Sequence, residues 1–280
     1  MMLRLLLGTL LGLPIVMAAP AQQFAHVDGV RVRYLVEGAG PKAIVLVHGW
    51  TCAGSFWRAQ FADLLAAQYK VIAIDLPGHG GSDKPKIEYS VDLFARAIDA
   101  VMVHAKVPRA VVAGHSLGVP VVMQFIRDHP EKAQAFIAVD GAVWTQPRAA
   151  NGKPSPFVES LKRAYAATAG AYIDTMFVYD TPDDLRNEIK QKMLATPAWV
   201  SISAIEMLGK SDVWLRGPTN VPTLAMMASK RPNDQRQAIH EQIFQRLEYV
   251  LWPEAGHFLM MEQPERFNRT VLDYLKRLGL

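Results

Sequence analysis

A chain of 280 residues, 50% hydrophobic and 20% charged, has the material for one large domain, or one domain with an insertion, around a sizeable core. A net charge of +4 with no run of five basic residues argues against a nucleic-acid partner. The single cysteine, Cys52, excludes an internal disulfide.

The N-terminus reads as a separate object. Met1 to Arg4 give a short basic start, residues 5–17 are apolar apart from Thr9, and Ala19-Pro20-Ala21 offers an A-x-A cleavage site. Residues 1–21 are therefore expected to be a secretory signal peptide. The apolar stretch is short of the roughly 20 residues that cross a bilayer, and no cysteine stands at the cleavage point to carry a lipid. The expectation is an exported protein, periplasmic or secreted, with no stable membrane span after cleavage. A short uncleaved anchor is the competing reading.

Beyond the leader, Val30, Val32, Tyr34 and Val36 alternate with Arg31, Arg33 and Leu35, and Asp28-Gly29 precedes them as a turn signal. This predicts an antiparallel hairpin. The rhythm then changes. Residues 43–47, 71–74, 110–113 and 136–139 are continuous apolar runs, separated by helical patterns at 55–68, at 90–105 with Ser90 as cap, and at 119–128. Short apolar runs between helices predict parallel strands covered on both faces, an α/β fold with a mostly parallel, doubly wound sheet.

After Gly141 the strand pattern stops. Residues 157–168, 170–178, 183–194 and 198–208 read as helices, with Thr181-Pro182 opening the third. This predicts a helical cap over residues 142–217, inserted in a core formed by 22–141 and 218–280. Its many aromatics and methionines suit a lid over an apolar pocket, although most of them serve equally to pack the insertion itself. Strands at 222–227 and 247–251 and helices at 233–244 and 265–278 complete the chain.

The chemistry centres on Gly114-His115-Ser116-Leu117-Gly118, between an apolar strand and a helix. A strand, a sharp G-x-S-x-G turn and a helix form a nucleophile elbow, in which strain lifts the serine hydroxyl out of the sheet. Serine is a poor nucleophile at neutral pH and needs a base, a group to orient that base and donors for the oxyanion. His257, in a Gly-His-Phe loop after the last strand, is the candidate base. The N–H groups of Leu117 and Trp50 are the candidate oxyanion donors, Trp50 lying in the His48-Gly49-Trp50 turn after the first buried strand. His115 is expected to point away from the nucleophile. His48 and His79 are expected to brace the site, and Asp75 and Asp83 to shape their loop.

Val47-His48-Gly49-Trp50, the 75–82 segment Asp-Leu-Pro-Gly-His-Gly-Gly-Ser, the elbow and Gly256-His257-Phe258 stand in the order seen in serine α/β-hydrolases, and the chain resembles that superfamily over most of its length. The resemblance implies a Ser–His–acid triad, no metal, no cofactor and a helical cap between the sixth and seventh strands. The acid departs from the pattern, because Arg231 stands where a typical member carries Asp. Two carboxylates can replace it: Asp140, at the end of the strand after the elbow, and Asp234, three residues beyond Arg231. The strand-end position favours Asp140 as the third catalytic residue. The implied activity is hydrolysis of an ester-type bond in a small apolar or aromatic molecule. Carbon–carbon bond hydrolase, lactonase, amidase and haloperoxidase activities are alternatives on the same triad, and a non-catalytic binding protein is a further one. The oligomeric state is not legible in the sequence.

Overall fold

Val30, Val32, Tyr34 and Val36 are buried while the residues between them stay exposed or half-buried, as a strand with one covered face requires. The structure, a computed structural model, describes residues 20–141, 143, 155–229 and 236–280. Strand β1 (Ala21–Val27) pairs antiparallel with β2 (Val30–Glu37) through Asp28 and Gly29, at φ 48° and 76°. Two consecutive positive φ values are what a tight hairpin turn demands.

The apolar runs become β3 (Lys42–Val47), β4 (Tyr69–Ile74), β5 (Ala110–His115) and β6 (Ala133–Val139), followed by β7 (Thr223–Ser229) and β8 (Leu247–Pro253). They form one eight-stranded sheet in the order β1-β2-β4-β3-β5-β6-β7-β8. Only the pairings of β2 with β1 and β4 are antiparallel; the rest are parallel. β5 is buried along its whole length, which explains a run of apolar residues with no alternation.

A 3-10 segment, Gly54–Gln60, leads into α1 (Phe61–Ala66), where the sequence suggests one continuous helix. Tertiary contacts account for the tighter winding: Phe56 and Trp57 are both fully buried, and the Asp75 carboxylate takes the Gly54 N–H at 2.7 Å. Helix α2 (Val91–His104) starts where Ser90 Oγ accepts the Leu93 N–H, and α3 (Gly118–Asp128) follows the elbow. Between β6 and β7 lie α4 (Pro156–Arg163), α5 (Tyr165–Asp174), α6 (Asp183–Leu194) and α7 (Ala198–Lys210). The expected break near residue 169 falls instead at Ala164, whose φ of −150° leaves the helix. Gly170 is buried inside α5 against the Lys190 stem of α6, so packing overrides its tendency to end a helix. Helices α8 (Arg236–Ile243), α9 (Leu259–Glu262) and α10 (Pro264–Arg277) complete the described chain. No described helix is long and apolar enough to cross a membrane.

Because β3 to β8 run parallel, their C-terminal ends share one edge. The loops carrying Trp50, Ser116, Asp140 and His257 all leave from that edge, the usual ligand-binding edge of such a sheet.

Candidate active site

Ser116 leaves β5 at φ +53°, a left-handed conformation that costs a non-glycine residue free energy. Its N–H is held by the Val139 carbonyl at 2.9 Å. The flanking glycines permit the turn by close approach. A Cβ at Gly114 would stand 2.5 Å from the Gly118 carbonyl oxygen, and one at Gly118 would stand 2.7 Å from that of Val47. Helix α3 begins two residues after Ser116, so Leu117 lies at its N-terminus, where backbone N–H groups and the helix dipole favour negative charge.

The loop after β3 packs directly on this turn. A Cβ at Gly49 would lie 3.0 Å from that of Ser116, which places the adjoining Trp50 at the elbow. Trp50 is buried, and its indole N–H donates to the Ser201 carbonyl of α7 at 2.8 Å. His48 fixes the same loop: its Nδ1–H donates to the Gly49 carbonyl at 2.7 Å and its Nε2 accepts the Leu76 N–H at 3.0 Å. Burial pulls His48 down to about 4, so it is neutral and can play both roles. His79 packs beside it with ring centroids 5.1 Å apart. Asp75 is buried, accepts the N–H groups of Gly54 and Gly81 and pairs with Arg33 at 2.8 Å, which makes it a loop organiser.

Asp140 follows β6 at φ +40°. Its Oδ2 receives His257 Nδ1 at 2.6 Å. Its Oδ1 accepts the Ala228 N–H at 3.0 Å and Arg236 Nη1 at 3.1 Å. Burial by itself would raise this carboxyl, but the His257 hydrogen bond and the electrostatic pull of His257 and Arg236 outweigh it and hold Asp140 below the usual carboxylate range. Gly141 is needed for space more than for turning, since a Cβ there would come within 2.2 Å of Val119 Cγ2.

The His257 loop is anchored from three sides. Its N–H donates to the Met176 carbonyl at 2.8 Å, between α5 and α6. Its carbonyl receives His115 Nε2 at 2.9 Å. The Glu262 carboxylate takes the Gly256 N–H at 2.8 Å, so Glu262 shapes the loop. Burial raises Glu262 above its ordinary value. The His115 and His257 rings lie 4.6 Å apart.

The structure therefore gathers Ser116, Trp50, Leu117, Asp140 and His257 at one edge of the sheet and joins Asp140 to His257 directly. Among the described residues no hydrogen bond joins Ser116 to His257, whose ring nitrogen Nδ1 is held by Asp140. Arg231 and Asp234 lie outside the described residues. Sequence reading missed Arg236, which sits in a predicted helix with no local signal, and it missed what His115 contacts. Among the described residues no cluster of metal-ligating side chains is found.

A cavity of about 300 Å³ opens beside the Asp140–His257 pair, lined by Tyr172, Thr175 and Met176 on one side and by Ala228, Ala255 and Gly256 on the other. Trp50, Phe157 and Tyr172 form an aromatic group near it, with centroids 4.6 to 6.2 Å apart. Of the aromatics and methionines in this region, Phe177, Met193, Met207 and Trp214 are buried in packing, whereas Tyr172, Tyr179 and Trp199 remain exposed.

Residues 44–270 match the Alpha/beta hydrolase family. An uncharacterized protein of Mycobacterium bovis is 39% identical over 122 residues, 44% of this chain and 35% of that protein. The chain thus matches about a third of that relative's length. A 2-hydroxy-6-oxononadienedioate/2-hydroxy-6-oxononatrienedioate hydrolase of Paraburkholderia phymatum is 26% identical over 288 residues, covering 88% of this chain and 91% of that one. Among solved structures, an esterase from Exiguobacterium antarcticum superposes with a TM-score of 0.81 at 24% identity, over 91% of this chain and 100% of that one, a likeness of fold. The eight-stranded sheet and the family match over most of its length agree: the chain belongs to the α/β hydrolase family.

Proposed function

We propose that the protein is a serine hydrolase that cleaves an ester-type bond of a small apolar or aromatic substrate through an acyl-enzyme. The observation that carries this reading is the 2.6 Å contact between Asp140 and His257 beside a serine strained at φ +53°. In this mechanism Asp140 holds the Nδ1–H tautomer of His257, leaving Nε2 to take the Ser116 proton as Oγ attacks the carbonyl carbon. The N–H groups of Leu117 and Trp50 hold the oxyanion. His257 then protonates the leaving alcohol, and water, deprotonated by the same histidine, releases the acid. The helices between β6 and β7 act as a cap, and the exposed ring of Tyr172 beside Trp50 and Phe157 offers an apolar wall to the substrate.

Hydrolysis of p-nitrophenyl esters of increasing acyl length, run beside Ser116→Ala, tests this. Turnover by the wild type alone supports it; no turnover on any ester, lactone or amide rejects it. The Paraburkholderia relative favours a second reading, carbon–carbon bond hydrolysis by the same residues on a diketone. Loss of a 2-hydroxy-6-oxo-dienedioate with no ester turnover would select it. Labelling by a fluorophosphonate separates both from a non-catalytic binding protein, in which Ser116 stays unreactive. Residues 1–21 are proposed as an export signal whose removal takes only Ala21 from the start of β1, to be tested by the N-terminal sequence of the chain recovered outside the cytoplasm.

A further inference from the structure

We infer that His115 is a positioning residue: its Nε2–H holds the main-chain carbonyl of His257, so the segment that bears the nucleophile also sets where the base stands. The inference rests on the serine-hydrolase reading above.

The geometry is specific. His115 Nε2 lies 2.9 Å from the His257 carbonyl oxygen, and the rings are 4.6 Å apart. A carbonyl only accepts, so Nε2 carries the proton and Nδ1 is the bare nitrogen. Nδ1 is buried with no hydrogen-bond partner among the described residues. The whole side chain is 0% exposed. Burying an imidazole with one nitrogen unsatisfied costs free energy, and an apolar side chain would fill the same space at lower cost. The one polar contact that offsets this cost runs to the base.

Charge points the same way. Burial pulls His115 down to about 3, so it stays neutral at working pH. A cationic ring 4.6 Å from His257 would oppose the imidazolium that forms when Ser116 gives up its proton; a neutral donor to the backbone does not. The other two anchors of this loop differ in origin. Met176 comes from the region between α5 and α6, and Glu262 from α9. His115 alone of the three adjoins Ser116 in the chain, so a shift of the elbow carries base and nucleophile together.

The test compares His115→Leu and His115→Gln in the full chain, with three readouts: the rate of Ser116 labelling by a fluorophosphonate, kcat and KM on a p-nitrophenyl ester, and the thermal midpoint. His115→Leu is expected to lower kcat and the labelling rate together, by a factor on the order of 10²; misplacing a catalytic group by about an ångström has that effect. KM should stay within about twofold, because the binding surface is untouched. His115→Gln, whose amide keeps a donor near the same place, should recover most of the loss. Should His115→Leu fail to fold, His115→Asn, too short to reach the carbonyl, takes its place with the same expectation. Wild-type labelling rates in the folded fraction of both variants overturn the inference, and so does an equal loss in both. A wild type that labels no faster than Ser116→Ala overturns the serine-hydrolase reading, and this inference with it.

Discussion

β5 and β6 lie side by side, and each hands over to a residue at positive φ, Ser116 at 53° and Asp140 at 40°. The two ends are held by different means. Ser116 is set by steric fit: Gly114 and Gly118 allow a backbone approach that any Cβ would block. Asp140 is set by donors, namely the Ala228 N–H, Arg236 and His257, which stand 88, 96 and 117 residues away in the chain. A steric turn is a local property written in five consecutive residues. A donor-held carboxylate is assembled from distant ones. This contrast explains why the elbow is plain in the sequence and its acid partner is not. It also predicts how each end fails.

The largest expected effect is at the steric end. Ser116→Ala removes the proposed nucleophile and should lower kcat by about 10⁶-fold, measured on the best ester found. Asp140→Asn comes next, with a loss of about 10⁴-fold, because an amide favours the wrong tautomer of His257. Asp234→Asn should leave the rate within about twofold. The opposite ranking of the two aspartates would remove Asp140 from the triad.

Asp140→Asn should also reveal the charge in the stability. The folded-state carboxyl lies below its unfolded value, so it stabilises the fold above about pH 4 and the contribution fades as pH falls through the folded value. The destabilisation of the variant, read from denaturant midpoints, should therefore be present at pH 7 and shrink below about pH 4. A difference that is flat with pH would show that the carboxylate's charge does not matter to folding.

Gly118→Val tests the steric hold without removing a polar side chain. Its side chain would be forced against the carbonyls of Val47 and His48, and a loss of roughly 3 kcal/mol is expected in urea unfolding. A loss under about 1 kcal/mol would mean that the turn relaxes easily.

The smallest effect is expected at Arg236. Its guanidinium faces the Asp140 oxygen opposite the one that holds His257. Removing it in Arg236→Gln takes away one of the positive charges that hold the Asp140 carboxyl down, so the acid-side loss of stability, read from denaturant midpoints, should begin at a higher pH than in the wild type. Arg236→Lys keeps the charge and should restore the wild-type profile, and an unshifted profile in Arg236→Gln would reduce Arg236 to a structural role.

The fold was legible to the extent that local rules govern it. Alternation marked β2, Asp28-Gly29 marked its hairpin, continuous apolar runs marked the parallel strands, and Ser90 marked the start of α2. Boundaries in the helical insertion were less so: the break expected near residue 169 falls at Ala164, and Gly170 packs as an interior residue of α5.

What the sequence by itself determined is the G-x-S-x-G turn at Ser116, the Gly-His-Phe loop bearing His257 and the succession of parallel strands and helices between them. These follow from short-range sterics and from hydrophobic period, both readable in neighbouring residues. What only the tertiary structure decided is which groups surround that edge. β6 and β7 lie adjacent and parallel, so an aspartate after β6 meets the Ala228 N–H at the end of β7 and still reaches His257. The same packing brings Arg236 onto Asp140 and His115 onto the His257 carbonyl. Hydrogen bonds between residues about a hundred positions apart depend on how strands pair and loops pack, and no local pattern in the chain records them.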